Sequence, residues 1–96
     1  MKAELLVRAR VVLREGAFAE LVVWRVPRPV RGSRHGLKYR PAYIVNGKCL
    51  VRMDNEAGKG DHVHLRGEER PYVFRSPETL LQDFWRLVEE LEEDRR

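Results

Sequence analysis

Asn46-Gly47 lies between two runs of β-forming residues, and no other dipeptide constrains this chain as tightly. A type I′ turn needs two consecutive residues at positive φ, its twist matches that of the flanking strands, and Asn-Gly is its favoured dipeptide. Residues 37–45 and 48–54 are therefore expected as the two strands of a hairpin. Pro41 cannot donate to a ladder, so the strand that holds it should lie at an edge or carry a bulge.

A second hairpin is expected upstream. Ala3, Leu5, Val7, Ala9, Val11 and Leu13 alternate with Glu4, Arg8, Arg10 and Arg14, a period of two that turns one apolar face of a strand over residues 3–14 toward a core. Glu15-Gly16 marks a turn, and residues 17–27 supply a β-branched and aromatic partner strand that ends at Pro27 and Pro29. A short strand over 71–74 would be a fifth.

Ser76-Pro77-Glu78 carries an N-cap hydroxyl, a proline at the first helical position and an acid in the first turn. Leu80, Leu81, Phe84, Trp85, Leu87, Val88 and Leu91 then recur at spacings of three and four, which predicts a helix over 77–93 with a broad apolar stripe. Its end, from Glu89 to Arg96, is almost wholly charged and is expected to fray. The fold class is α+β: a four- to five-stranded, mainly antiparallel β-meander with the C-terminal helix packed on one face.

The 96 residues suffice for a single domain, 1–96, with one core. No run approaches the ~20 apolar residues of a membrane span, and no signal-peptide pattern stands at the N-terminus, so a cytoplasmic location and no membrane partner are expected. The lone Cys49 can form no internal disulfide, and its apolar-alternating surroundings predict a buried structural thiol. Trp24 is expected in the core, whereas Tyr39, Tyr43 and Tyr72 could fill the core or stack on bases.

Charge is segregated along the chain. Residues 1–75 carry 16 Lys and Arg against 8 Asp and Glu, whereas residues 76–96 carry 3 against 7. Arg25, Arg28, Arg31, Arg34, Lys38 and Arg40 follow one another with no acid between them. Such a stretch suits phosphate backbones or an acidic protein, and the planar fork of Arg suits both better than solubility requires.

The chemistry is expected in the segment from Asp54 to His64, which holds two of the three histidines just after a strand. His62 and His64 are two apart, so in an extended chain both imidazoles project from one face. Such a pair can take the proton of a ribose 2′-hydroxyl and return one to the leaving oxygen without a metal. Lys59, between Gly58 and Gly60, and Arg52 would hold the phosphate, while Asp54 or Asp61 would orient an imidazole or join the histidines as metal ligands. A His-x-His with an aspartate lacks the closed spacing of a structural zinc site, so no metal and no cofactor is expected. The bland alternative is a solvent loop whose histidines bind only their neighbours.

The runs Gly16-Ala17-Phe18-Ala19-Glu20-Leu21-Val22-Val23-Trp24, Met53-Asp54-Asn55 leading to Asp61-His62-Val63-His64, and Leu80-Leu81-Gln82-Asp83-Phe84 resemble the TumE-like family. The resemblance spans nearly the whole chain. It implies the toxin half of a two-gene prokaryotic toxin-antitoxin module, held in check by a cognate antitoxin. Where many relatives have prolines and another histidine, this chain has Gly58-Lys59-Gly60-Asp61.

The function expected is a toxin that cleaves RNA without a metal, with His62 and His64 as acid and base, Asp54 and Lys59 assisting, and phosphate held by Arg52 and the basic stretch. The alternative is a non-catalytic module that grips nucleic acid or a partner through residues 25–40. A sheet of this kind leaves an edge on which an antitoxin or a second copy, giving a homodimer, can pair.

Overall fold

The computed structural model describes residues 2–94. Among them the chain forms β1 (Glu4–Arg14), β2 (Ala17–Arg25), β3 (Leu37–Tyr39), β4 (Ala42–Val45), β5 (Lys48–Asp54), β6 (His62–Leu65), β7 (Glu68–Pro71) and α1 (Pro77–Asp94). Every pairing is antiparallel, in the order β1-β2-β4-β5-β6-β7, with β3 also on β2. The α+β meander with one C-terminal helix is as expected, but the sheet has seven strands rather than four or five.

The extra strands have physical causes. Pro41 divides residues 37–45 into β3 and β4, both paired with β2, and the Pro41 carbonyl accepts from the Met53 N–H. Arg66 and Gly67, at φ 49° and 85°, reproduce the geometry of Asn46 and Gly47 at 49° and 81°. They close a hairpin between β6 and β7 that ends at Pro71, so residues 72–74, expected in a strand, are not in one.

Residues directly opposite in a ladder share a face, and neighbours along a strand alternate. Ala17, Ala19, Leu21, Val23, Tyr39, Tyr43, Val45, Val51 and Met53 all turn to one face, where they are buried with Leu80, Phe84, Val88 and Leu91 of α1. The helix is capped by Ser76 Oγ, which accepts from the Thr79 N–H at 3.0 Å. It runs to Asp94, with Arg14 on Glu92 and Arg66 on Asp94 along its last turns. Arg95 and Arg96 lie outside the described residues.

Two bulges alter the expected alternation in β1. The register shifts between Leu5 and Val7 and again between Val12 and Arg14. Val7 and Val11 thus stay half-buried on the helix side, while Leu5 falls opposite Trp24 on the other face and is 41% exposed. Trp24, on the uncovered face, is only half-buried and is not a core residue. A bulge at Leu50 likewise puts Cys49 opposite Ile44 on that face, so its thiol is exposed rather than buried.

Candidate functional site

Titratable side chains of β5, β6 and β7 gather on the face of the sheet opposite α1. In the β5–β6 ladder Asp54 lies opposite His62 and Arg52 opposite His64, and in the β6–β7 ladder His64 lies opposite Glu69. Met53, Val63 and Val51 alternate with them toward the helix. Adjacent short strands thus hold an Asp, an Arg, two His and a Glu on one surface.

His62 is 3% exposed despite lying on the uncovered face. Its Nδ1 lies 2.9 Å from the Gly60 carbonyl. A carbonyl can only accept, so Nδ1 carries a proton and donates it. Nε2 points at Asp54 Oδ1, 2.6 Å away, and Glu69 Oε1 lies 3.7 Å off. That short approach lacks hydrogen-bond alignment, and Nε2 is buried without a hydrogen-bond partner.

His64 lies edge-on to His62, with ring centroids 4.8 Å apart. Arg52 Nη2 donates to His64 Nε2 at 3.0 Å while Arg52 Nε donates to Asp54 Oδ2 at 2.8 Å, so one guanidinium spans two members of the cluster. Burial first, then the positive Arg52, push the His64 pKa below its ordinary value against the opposing pull of Glu69.

A cleft of about 500 Å³ adjoins the cluster, lined by Lys38, Arg40, Arg52, Asp54, Asn55 and Glu56 among others. Of the cations expected to meet phosphate, Lys38, Arg40 and Arg52 come together here. Arg25 instead pairs with Glu4 at 2.9 Å in solvent, and Lys59 lies 3.8 Å from Glu56. Arg28, Arg31 and Arg34 sit exposed on the loop between β2 and β3 and do not line the cleft.

That loop does meet the segment before the histidines. The Gly58 N–H donates to the Arg31 carbonyl at 2.7 Å, and Gly32 approaches Gly60 so closely that a Cβ on it would stand 2.7 Å from the Gly60 nitrogen. Asp61 locks the two loops. Its Oδ1 accepts from Ser33 Oγ, and its Oδ2 accepts from His35 Nε2 and the Tyr39 hydroxyl, each at 2.6 Å. His35 accepts the Leu37 N–H on Nδ1 and stacks on Phe74 at 3.8 Å between centroids. Asn55 Nδ2 donates to both Ser33 Oγ and the Leu37 carbonyl.

Asp61 therefore orients His35, not His62. Adjacent residues in extended chain point to opposite faces, so an aspartate beside His62 is turned away from its imidazole. Glu69 went unforeseen as a member of this face, whereas the alternation in β1 had already turned Arg8 and Arg10 away from the core. Arg10 lies 4.0 Å above the Phe18 ring, and the strand alternation carries the only signal for it.

Fold and site together define a small α+β domain whose uncovered sheet face bears a His–His–carboxylate cluster beside a basic cleft. The chain belongs to the TumE toxin family, whose model, described as Toxin TumE, matches residues 2–92. No curated protein and no solved structure matches it. Among the described residues no helix is long and apolar enough to cross a membrane.

Proposed function

We propose that this chain is the toxin of a toxin-antitoxin pair and that it acts by cleaving RNA on the uncovered face of its sheet. The observation that carries the reading is Arg52: it lies in a cleft with Lys38 and Arg40 and simultaneously grips Asp54 and His64. Phosphodiester cleavage builds negative charge on non-bridging phosphate oxygens, and a fixed guanidinium with two further cations stabilises that charge where it grows.

His62 does not serve as a free acid beside His64. Its Nδ1 proton is committed to Gly60, its Nε2 faces Asp54, and the ring is out of solvent. Cleavage is instead assigned to the Asp54–His62–His64 cluster acting as a unit, with RNA phosphate over Arg52, Lys38 and Arg40. A cognate antitoxin would hold the toxin inactive, and the edge strand β1, with its unpaired backbone groups, is the surface offered for it.

The test is incubation of RNA with purified protein, beside Arg52→Ala and His64→Ala variants whose folding is confirmed by circular dichroism. Cleavage by the wild type that both substitutions abolish is expected. No cleavage by the wild type, or cleavage that survives both substitutions, refutes the assignment. Binding that depends instead on Arg31 and Arg34, without cleavage, would favour the non-catalytic module.

A further inference from the structure

We infer that Asp54, His62 and His64 bind one divalent transition-metal ion of the zinc or manganese class. Asp54 supplies a carboxylate oxygen and each histidine a ring nitrogen, and these three atoms lie within 4.8 Å of one another. Two imidazoles and a carboxylate form a set that takes such ions while leaving coordination positions open.

The second observation is the state of His62. With Nδ1 donating to the Gly60 carbonyl, Nε2 is left as the ring's acceptor, buried and without a hydrogen-bond donor. It faces Asp54 Oδ1 at 2.6 Å in an arrangement that is not a hydrogen bond. In the neutral ring two lone pairs face one another in a buried site and repel unless a cation, a proton or a metal ion, lies between them. A backbone carbonyl on the far nitrogen is also the usual device that fixes the tautomer of a metal-binding histidine.

The outer contacts fit as well. Asp54 Oδ2 is held by Arg52 Nε, while Oδ1 takes only a long 3.5 Å bond from the Glu56 N–H and keeps a lone pair to ligate. Glu69 stands on the ligand side, 3.7 Å from His62 Nε2 and 3.9 Å from His64 Nδ1, and because His64 Nε2 accepts from Arg52 Nη2, ligation through that nitrogen displaces the guanidinium. A tetrahedral ion at about 2.0–2.1 Å from each donor sets the donors roughly 3.3 Å apart, so the Asp54–His62 pair opens by roughly 0.7 Å as His64 draws in. Side-chain rotation suffices for that. Asp54 and Arg52 both line the cleft, so the open position adjoins the phosphate-binding cations. Binding of the ion stands independently of RNA cleavage; only its catalytic role rests on the function proposed above.

The experiment is calorimetric titration of chelator-stripped protein with Zn²⁺ and, separately, cobalt(II), whose visible spectrum reports its ligands. One ion per chain is expected, with no thiolate band. Asp54→Asn and His64→Ala should each weaken binding by about tenfold or more, while Cys49→Ser binds as the wild type does. Circular dichroism confirms that each variant is folded. Absence of binding, binding unchanged in both ligand variants, or binding lost with Cys49 overturns the site. RNA cleavage is assayed in parallel with and without chelator. Metal binding without cleavage would sink the ribonuclease reading and leave the site standing; cleavage undiminished by chelator, with no metal bound, would sink the site alone.

Discussion

Replacing Asp61 should separate the structural role of this residue from the chemistry of the histidine next to it. The carboxylate side chain is only 10% exposed and accepts three short hydrogen bonds from Ser33, His35 and Tyr39. Asp61→Ala leaves those three donors in a half-buried site with no acceptor and costs about 3–5 kcal/mol, the range for breaking a buried charged interaction from one side. For a domain of this length that lowers Tm by about 4–8 °C per kcal/mol. Asp61→Asn is milder. Its amide oxygen can face His35 and Tyr39 while its NH₂ donates to Ser33 Oγ, so the loss is mainly of charge assistance, about 1–2 kcal/mol.

The acid dependence has a definite sign. Burial draws the Asp61 pKa up, but hydrogen bonds from Ser33, Tyr39 and His35 outweigh it and hold the carboxyl below its ordinary value. Unfolded chain then binds this proton more readily than folded chain does. The stabilisation is present in full above the unfolded carboxylate pKa of about 3.9 and is lost as pH falls through the lower folded value. Thermal denaturation followed by circular dichroism should therefore place alanine below asparagine below wild type at neutral pH. The gap between asparagine and wild type should shrink in acid. An alanine variant as stable as wild type, or a gap that widens as pH falls, would refute the reasoning.

Gly32→Ala, at φ 97° and with its Cβ 2.7 Å from the Gly60 nitrogen, should cost about 1–3 kcal/mol by forcing the two loops apart; an unchanged melting temperature would show that the loops are not packed this closely. Phe84→Ala removes a fully buried ring from beneath the sheet and should cost about 3–5 kcal/mol, read as a fall in urea midpoint. Arg52→Lys keeps the charge but loses the fork that spans Asp54 and His64, so RNA cleavage should fall on the order of tenfold to a hundredfold, and full activity would contradict the role given to this residue. If Lys38, Arg40 and Arg52 are the phosphate contacts, single-stranded RNA affinity should fall with salt at a slope of about −2 in log–log form, roughly −0.7 for each cation. A slope that Arg31 and Arg34 control instead would move the interface to the loop.

The hairpins show which features a sequence can reveal. Asn46-Gly47 states its turn openly because both residues tolerate positive φ, whereas Arg66-Gly67 adopts the same turn with an arginine, a residue that carries no such signal. With that turn hidden, β7 was hidden, and with β7 the position of Glu69 opposite His64. The bulges at Leu6, Leu13 and Leu50 were equally silent, since an inserted residue leaves the composition of a strand unchanged while flipping every side chain beyond it to the other face. Cys49 was misplaced for lack of that register, whereas Trp24 follows core-facing Val23 in the unbroken alternation of β2, which puts it on the uncovered face; the face shared by His62 and His64 emerged from their spacing alone.

The partner of His62 was beyond any rule of local spacing. Asp61 is adjacent in the chain but turned to the helix side, and Asp54 is eight residues back but directly opposite across the β5–β6 ladder. Ligand spacings that announce a metal site come from tight turns or single helix faces, so a set divided between two antiparallel strands has no fixed signature. It has a different regularity. In an unbroken antiparallel ladder one pair determines every other, so placing Asp54 opposite His62 necessarily sets Arg52 opposite His64 and leaves Met53 and Val63 together beneath. The carboxylate, both imidazoles and the guanidinium are thus consequences of a single register. A slip of one residue would not weaken the cluster gradually but would turn one strand's contribution to the helix face and dismantle it.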